Sequence, residues 1–106
     1  MIDIKDFQQI EMKIGEIISA QDVPNSDRLY VLGVDVGGRQ IQLVAGLKPH
    51  YQEDELKGKK IVVVTNLKPA TIKGVTSEGM LLAAINNDRI SLLTVDRDIP
   101  VGSSVA

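Results

Sequence analysis

Short strand-like runs, separated by tight turns, are the feature that most limits what this chain can fold into. Residues 61–65 (Ile-Val-Val-Val-Thr) form a β-branched run whose length and apolar character predict a buried strand. Gly37 and Gly38 separate two alternating runs, which is typical of a hairpin. The predicted strands cover residues 12–23, 29–36, 41–45, 61–65, 80–85 and 90–95. This pattern predicts an all-β protein, a small five-stranded Greek-key barrel.

Helices are expected to be few and short. The predicted N-terminal helix covers residues 2–10, with Asp3 as N-cap and an Ile2–Phe7 hydrophobic staple. One helical turn is predicted at residues 53–56, ending before Gly58. The other irregularities expected are a bulge or close backbone approach at Gly15, a loop at 24–27, a long loop over 68–79, a turn at 86–88, and an edge strand over 99–105, limited by Pro100.

Length and composition favour one compact intracellular domain. The 106 residues carry no repeat and no linker, so residues 1–106 are read as a single domain. There is no cysteine, which excludes disulfides, thiol nucleophiles and cysteine-ligated zinc. No segment approaches the roughly 18–20 apolar residues of a membrane span, and the N-terminus lacks the features of a signal peptide. We therefore expect a cytoplasmic chain with no membrane partner.

Catalytic groups are scarce. His50 is the only histidine, and it lies in a loop where a solvated turn residue is the more common role. No serine has an evident activating partner, and the acids of residues 53–55 fit the first turn of a helix better than paired catalysis. The chain is expected to be non-catalytic, with no cofactor and no metal site.

Charge and aromatic content restrict the ligands that the chain could bind. Twelve basic and 14 acidic residues give a formal net charge of −2, so a nucleic-acid site would have to be a local basic face with acids elsewhere. Phe7, Tyr30 and Tyr51 are the only aromatic residues, a poor platform for stacking unpaired bases. A folded RNA therefore fits better than a single strand.

Three stretches resemble a known family. They are residues 23–30 (Val-Pro-Asn-Ser-Asp-Arg-Leu-Tyr), residues 43–47 (Leu-Val-Ala-Gly-Leu) and the long, specific stretch 64–84, which includes Ser77-Glu78-Gly79-Met80. Together they resemble the tRNA-binding domain found at the C-terminus of many methionyl-tRNA synthetases and in free-standing tRNA-binding proteins. The opening Asp6-Phe7 and residues 12–17 also match, although Lys13 stands where the family commonly has arginine.

The resemblance implies an OB-fold that binds the outer corner of tRNA without sequence-specific contacts. Carried over position by position, it implies RNA contacts at Asn25, Arg28, Asn66, Lys68, Lys73, Ser77 and Met80. Each position also has an ordinary interpretation: solvated charge for Arg28 and Lys68, a simple turn for Lys73, loop or turn stabilisation for Asn66 and Ser77, and core packing for Met80. Lys48, Lys57, Lys59 and Lys60 are expected to add general charge at most.

The tail and the first helix carry more apolar side chains than a small barrel needs. Residues 90–95 resemble the dimer-forming extension of the family, so tRNA and a second copy of the chain are the expected partners. The predicted interface comprises Ile4, Phe7, Leu92, Leu93, Val95, Ile99 and Val101, with Ile10 and Val105 nearby. The alternative is that these residues cap the barrel. If the chain is part of a synthetase, the catalytic part of that enzyme is a further partner.

Other functions stay open at this point. A dimerisation or protein-interaction module with weak RNA binding is favoured by the acidic balance. A chaperone-like or small-ligand-binding barrel has less support.

Overall fold

The computed structural model describes residues 1–106. Its main sheet has the strand order β3-β2-β1-β4-β7, and β10 pairs with β1. A meander of β1, β2 and β3 with β4 beside β1 is the Greek-key order. The elements are α1 (Ile4–Phe7), β1 (Met12–Asp22), β2 (Tyr30–Asp35), β3 (Gln40–Ala45), α2 (Glu53–Leu56), β4 (Lys60–Val64), β5 (Ala70–Ile72), β6 (Val75–Ser77), β7 (Met80–Leu81), β8 (Ala83–Asn86), β9 (Arg89–Leu92) and β10 (Ser104–Val105). The all-β, five-stranded barrel prediction is confirmed.

Strand β1 organises the barrel because it pairs along both edges. Its first half pairs with β4, from Met12 opposite Val64 to Glu16 opposite Lys60, and its second half pairs with β2. The register with β2 shifts between Ile17 and Ser19, so the bulge lies there and not at Gly15. Gly15 instead marks a close approach, since a Cβ on it would lie 2.7 Å from Cγ1 of Val34.

Both faces of β4 are buried, which explains its continuous apolar run. Ile61 and Val63 point into the main core with Ile17, Leu32 and others. Val62 and Val64 point the other way, into a second cluster with Met12 and Ile14. Leu82, Val95 and Val105 pack over that second cluster. The tail therefore covers a sheet face that would otherwise be exposed.

The segment between β6 and β7 closes the barrel. The backbone N–H of Glu78 donates to the carbonyl of Gln42 on β3 at 2.7 Å, while Met80 pairs with Val64 on β4. Gly79 lies between the two strands, and a Cβ there would come within 2.7 Å of the Val64 carbonyl oxygen. Glycine thus allows the backbone to pass closely enough to join the edges.

Residues 68–79 are not the uninterrupted loop that the sequence predicted. They contain the hairpin of β5 and β6, whose two-residue turn is Lys73-Gly74 with φ of +52° and +79°. Two positive φ angles give the turn type whose twist suits a tight hairpin.

The predicted strand over 80–85 is two strands, β7 and β8. The break falls at Leu82, whose N–H donates to Val62 and whose carbonyl accepts from Leu93. Here the chain leaves β4 and becomes the first strand of the β8–β9 hairpin. The predicted strand over 90–95 is β9, which ends at Leu92.

The ends of the chain are less regular than predicted. The N-terminal helix stops at Phe7 and continues as a turn over residues 8–10, where Asn66 donates to the carbonyl of Gln9 and accepts from the N–H of Glu11. Asp3 is the N-cap, as predicted. The tail strand is limited to β10, since Pro100 and the positive φ of Gly102 (+90°) bend the chain before it. No helix has the length or the apolar content to cross a membrane.

Candidate nucleic-acid interface

The loop between β1 and β2 is a structured turn that presents Asn25 and Arg28. The Ser26 hydroxyl accepts hydrogen bonds from the N–H groups of Arg28 (3.3 Å) and Leu29 (3.1 Å). Asn25 adopts a left-handed conformation, φ +62°, which asparagine tolerates better than most residues. Both Asn25 and Arg28 are exposed. The loop therefore has a defined backbone and free polar side chains.

The β5–β6 hairpin carries Lys73 at its tip. The backbone of Lys73 is left-handed. This conformation costs a residue with a Cβ roughly 1 kcal/mol or more relative to the helical or extended regions. Two antiparallel strands hold that conformation, with Ile72 opposite Val75 and Ala70 opposite Ser77. Strained backbone of this kind clusters at binding sites, so this tip is a candidate contact.

Ion pairing divides the basic side chains into two groups. Lys48 lies 3.2 Å from a carboxylate oxygen of Asp22, and Lys60 lies 2.7 Å from one of Asp98. No ion pair involves the exposed Arg28, Lys68 or Lys73. These three have charge available for an external anion, whereas Lys48 and Lys60 are already partly neutralised. General charge is thus not expected from those two lysines.

Asn66 is used within the fold. Its Oδ1 accepts from the N–H of Glu11 at 2.9 Å, and its Nδ2 donates to the carbonyl of Gln9 at 2.7 Å. The neighbouring Thr65 hydroxyl donates to the Glu11 carboxylate at 2.6 Å. These bonds correspond to the loop-stabilising interpretation of Asn66. They connect residues 65 and 66, just before Lys68, to residues 9–11, which follow α1.

Ser77 is also used internally. It is only 6% exposed, its hydroxyl donates to the Gly79 carbonyl at 3.1 Å, and it accepts from the N–H of Val44 at 3.0 Å. The structure therefore favours the turn-stabilising interpretation of Ser77. Its predicted RNA contact gains no support from this geometry.

Met80 does not lie in the core. It opens β7 but is 50% exposed, and Leu67 and Ile72 on the same 66–80 segment are 44% and 37% exposed. Apolar side chains therefore accompany Lys68 and Lys73 along this segment. A methionine placed in this way can pack against sugar or base surface without hydrogen-bond readout.

The aromatic rings offer no stacking platform near these loops. Tyr30 is buried, and its hydroxyl donates to the Tyr51 carbonyl at 2.8 Å. Burial, then the nearby Glu53 and Asp22 carboxylates, raise the pKa of Tyr30 above its ordinary value. The half-buried Tyr51 hydroxyl accepts from the N–H of Leu92 at 3.1 Å, and Phe7 lies on α1. Both tyrosines therefore serve the fold.

Strand β3 connects the two loop regions. Its Ala45 pairs with Tyr30, which directly follows the loop between β1 and β2. The N–H of its Val44 donates a hydrogen bond to the Ser77 hydroxyl. Gln42 on the same strand contacts Thr76 and Glu78 through three further hydrogen bonds. Sequence reasoning missed Gln42, Glu78 and Ser26. Only Ser26 gave a local signal, as a small hydroxyl residue in a Pro-Asn-Ser-Asp turn.

The residues predicted for a dimer interface fall into two groups. Ile4, Phe7, Leu93 and Ile99 are exposed, at 68%, 37%, 42% and 38%. Leu92 packs against the main core, Val95 packs against the second cluster, and Val101 is half-buried. The barrel-capping alternative thus describes Leu92 and Val95. An apolar groove joins the two chain ends, lined by Ile4, Phe7, Gln8, Ile10, Val105 and Ala106.

Comparisons with known proteins agree with this geometry. Residues 12–104 match the family described as "Putative tRNA binding domain". The methionine–tRNA ligase of Methanococcus maripaludis is 47% identical over 105 residues, which are 99% of this chain and 16% of that protein. The chain thus spans about a sixth of the length of the curated relatives it matches.

Two solved structures are similar over the whole chain. The MetRS related protein from Pyrococcus horikoshii has a TM-score of 0.94 and 34% identity, covering 100% of this chain and 98% of that one. The CsaA chaperone protein from Picrophilus torridus has a TM-score of 0.92 and 32% identity, with complete coverage of both chains. The barrel is the expected OB-like fold. The family match over nearly the entire barrel and its loops shows that the chain belongs to the tRNA-binding domain family.

Proposed function

We propose that this domain binds tRNA by its folded shape and backbone charge, without reading sequence, and that it does so as a homodimer. The observation that carries the proposal is that Arg28, Lys68 and Lys73, the cations at the positions where the family resemblance implies RNA contacts, are all exposed and in no ion pair. Contacts of cations with phosphates position an RNA but carry no sequence information. The lack of a stacking platform favours a folded RNA over a single strand.

The proposed contact set follows from exposure and hydrogen bonding. Asn25, Arg28, Lys68, Lys73 and Met80 are free to meet RNA directly. Asn66 and Ser77 support the contact residues indirectly by stabilising the backbone, because their polar atoms form hydrogen bonds within the chain. Few of these groups read base edges, so most contacts go to phosphate and ribose.

Homodimer formation is supported by the apolar residues that the single chain leaves uncovered. Ile4, Phe7, Leu93 and Ile99 are more than a third exposed. Val95 packs against the second cluster, so the residues left for an interface are those exposed on α1 and in the segment after β9. Pairing of two copies by a two-fold axis buries such a patch on both copies at once.

The domain's context has two candidate forms, both non-catalytic in themselves and both cytoplasmic. The first is the C-terminal tRNA-binding and dimerisation domain of a methionyl-tRNA synthetase, supported by the ligase relatives at 47% identity. The second is a free-standing tRNA-binding protein, supported by the near-complete coverage of the Pyrococcus structure. Determining the length of the native reading frame decides between them.

A gel-shift assay tests the proposed RNA preference. The chain is titrated against bulk tRNA and against an unstructured RNA of equal length at the same salt concentration. We expect clear retardation of tRNA and weaker retardation of the unstructured RNA. Equal retardation contradicts shape recognition, and no retardation of either RNA favours a protein-interaction or chaperone-like module.

Sedimentation with and without tRNA tests the dimer. We expect a dimer at micromolar concentration in the absence of RNA, and one complex that contains two chains in its presence. A monomer under both conditions refutes the homodimer, while leaving tRNA binding intact.

A further inference from the structure

Glu78 is a carboxylate placed where an RNA-binding segment should avoid one. It lies two residues before Met80 and five after Lys73, and it is exposed. On charge alone, a negative side chain there weakens the approach of a phosphate backbone. Its hydrogen bonds indicate a reason for its presence.

Glu78 and Gln42 form a reciprocal set of contacts between β3 and the segment after β6. The Glu78 carboxylate accepts from the backbone N–H of Gln42 at 2.8 Å. The backbone N–H of Glu78 donates to the Gln42 carbonyl at 2.7 Å. The Gln42 side-chain amide donates to the carbonyl of Thr76 at 2.8 Å, inside β6. We name these three hydrogen bonds the β3 clasp.

The β5–β6 hairpin has few other attachments. Each strand is three residues long, and β5 pairs only with β6. An isolated two-stranded hairpin is marginally stable in water. Besides the β3 clasp, the hydrogen bonds of Ser77 to Val44 and Gly79 anchor its end to the barrel. The direction in which Lys73 points is therefore set largely by how firmly β6 is held to β3.

We propose that Gln42 and Glu78 are positioning residues for RNA binding, holding the Lys73 hairpin against the barrel so that its tip meets the RNA in a fixed orientation. This rests on the proposed function. Without the clasp, the hairpin samples more orientations, and ordering it on binding lowers the affinity. The benefit of a fixed hairpin outweighs the unfavourable charge of the Glu78 carboxylate.

Comparison of two neutral replacements of Glu78 separates positioning from charge. Glu78→Gln keeps an oxygen that can accept from the Gln42 N–H, whereas Glu78→Ala does not. Both remove the same negative charge, so a charge effect alone strengthens binding equally in the two variants. The clasp predicts that Glu78→Ala binds tRNA about three- to tenfold more weakly than Glu78→Gln, the effect of one lost hydrogen bond.

A second pair of variants leaves the charge unchanged. Gln42→Leu removes the amide that donates to Thr76. Gln40→Leu is the matched control, because Gln40 is an exposed residue on the same face of β3 whose side chain makes no hydrogen bond. We expect Gln42→Leu to bind tRNA at least threefold more weakly than Gln40→Leu. Hydrogen exchange of residues 70–77 should be faster in Gln42→Leu and Glu78→Ala, with β1 and β2 unchanged.

Affinities of all four variants and the wild-type chain, measured for one tRNA at one salt concentration, decide the matter. A difference of at least threefold within both pairs supports the clasp, and a smaller difference in either pair overturns it. If Glu78→Ala is unfolded at the assay temperature, the Gln42 and Gln40 pair decides alone. A wild-type chain that does not bind tRNA overturns the proposed function. A wild-type chain that binds, with variants that bind alike, overturns the clasp alone.

Discussion

Replacing Ser77 by alanine distinguishes an internal hydroxyl from an RNA contact. The Ser77 hydroxyl accepts from the Val44 N–H at 3.0 Å and donates to the Gly79 carbonyl at 3.1 Å, and the side chain is 6% exposed. Alanine removes both bonds and adds no bulk. The half-buried N–H of Val44 then has no partner in the fold, because it points away from β2 toward Ser77.

The expected loss of stability follows from that unpaired donor. Leaving a buried or half-buried polar group unsatisfied costs about 1–3 kcal/mol of folding free energy. In a domain of this size, each kcal/mol lowers the melting temperature by roughly 4–8 °C. We therefore expect Ser77→Ala to melt at least about 4 °C below the wild-type chain.

The assay is thermal unfolding followed by circular dichroism, with tRNA affinity measured on the folded protein. Ser91→Ala is the matched control, since Ser91 is exposed on β9 and its hydroxyl makes no hydrogen bond within the chain. We expect the control to melt within about 2 °C of wild type. An unchanged melting temperature for Ser77→Ala, together with a clear loss of tRNA affinity, refutes the internal role and restores Ser77 as a direct contact.

Three further predictions use the same measurements. Met80→Ala should change the free energy of unfolding by no more than about 0.5 kcal/mol, because the side chain is half exposed, while lowering tRNA affinity; a large loss of stability contradicts this. Burial raises the pKa of Tyr30 above 10.0, so its contribution to stability is complete below that pH and is lost as the pH rises through the folded-state pKa; Tyr30→Phe should flatten this alkaline decline in melting curves, and an unaltered decline refutes it. Phe7→Asp should shift light scattering from dimer to monomer without unfolding the barrel, and a persistent dimer places the interface elsewhere.

The barrel was predictable because its signals are local. The apolar run at residues 61–65 predicts a strand that is buried on both faces, and β4 is buried on both faces in the structure. The Gly37-Gly38 hairpin is equally local. The β5–β6 hairpin was missed because its turn places Lys73, not asparagine or glycine, at a positive φ. Strands of three residues are also too short for a clear alternating pattern.

The RNA contacts themselves stay predictions, and the structure bears only on whether each side chain is exposed or used within the fold. The family resemblance implied RNA contacts at Arg28, Lys68 and Lys73, and the structure leaves these side chains exposed and without ion pairs. The bond from Ser77 to Gly79 is local and matches the turn-stabilising alternative, whereas the partners of Asn66 lie 55–57 residues away and the Val44 partner of Ser77 lies 33 residues away. No local pattern predicts these long-range contacts, since the folded barrel creates them.

The most direct test of the account is the salt dependence of tRNA binding for three single alanine variants. Arg28→Ala, Lys68→Ala and Lys73→Ala should each weaken binding to every intact tRNA alike. Each should also flatten the plot of log affinity against log salt by somewhat under one unit, the share of one phosphate contact. Lys60→Ala serves as control, because Asp98 already pairs with that lysine, and its slope should match wild type. Slopes unchanged in all three variants would show that the RNA lies on another face of the barrel.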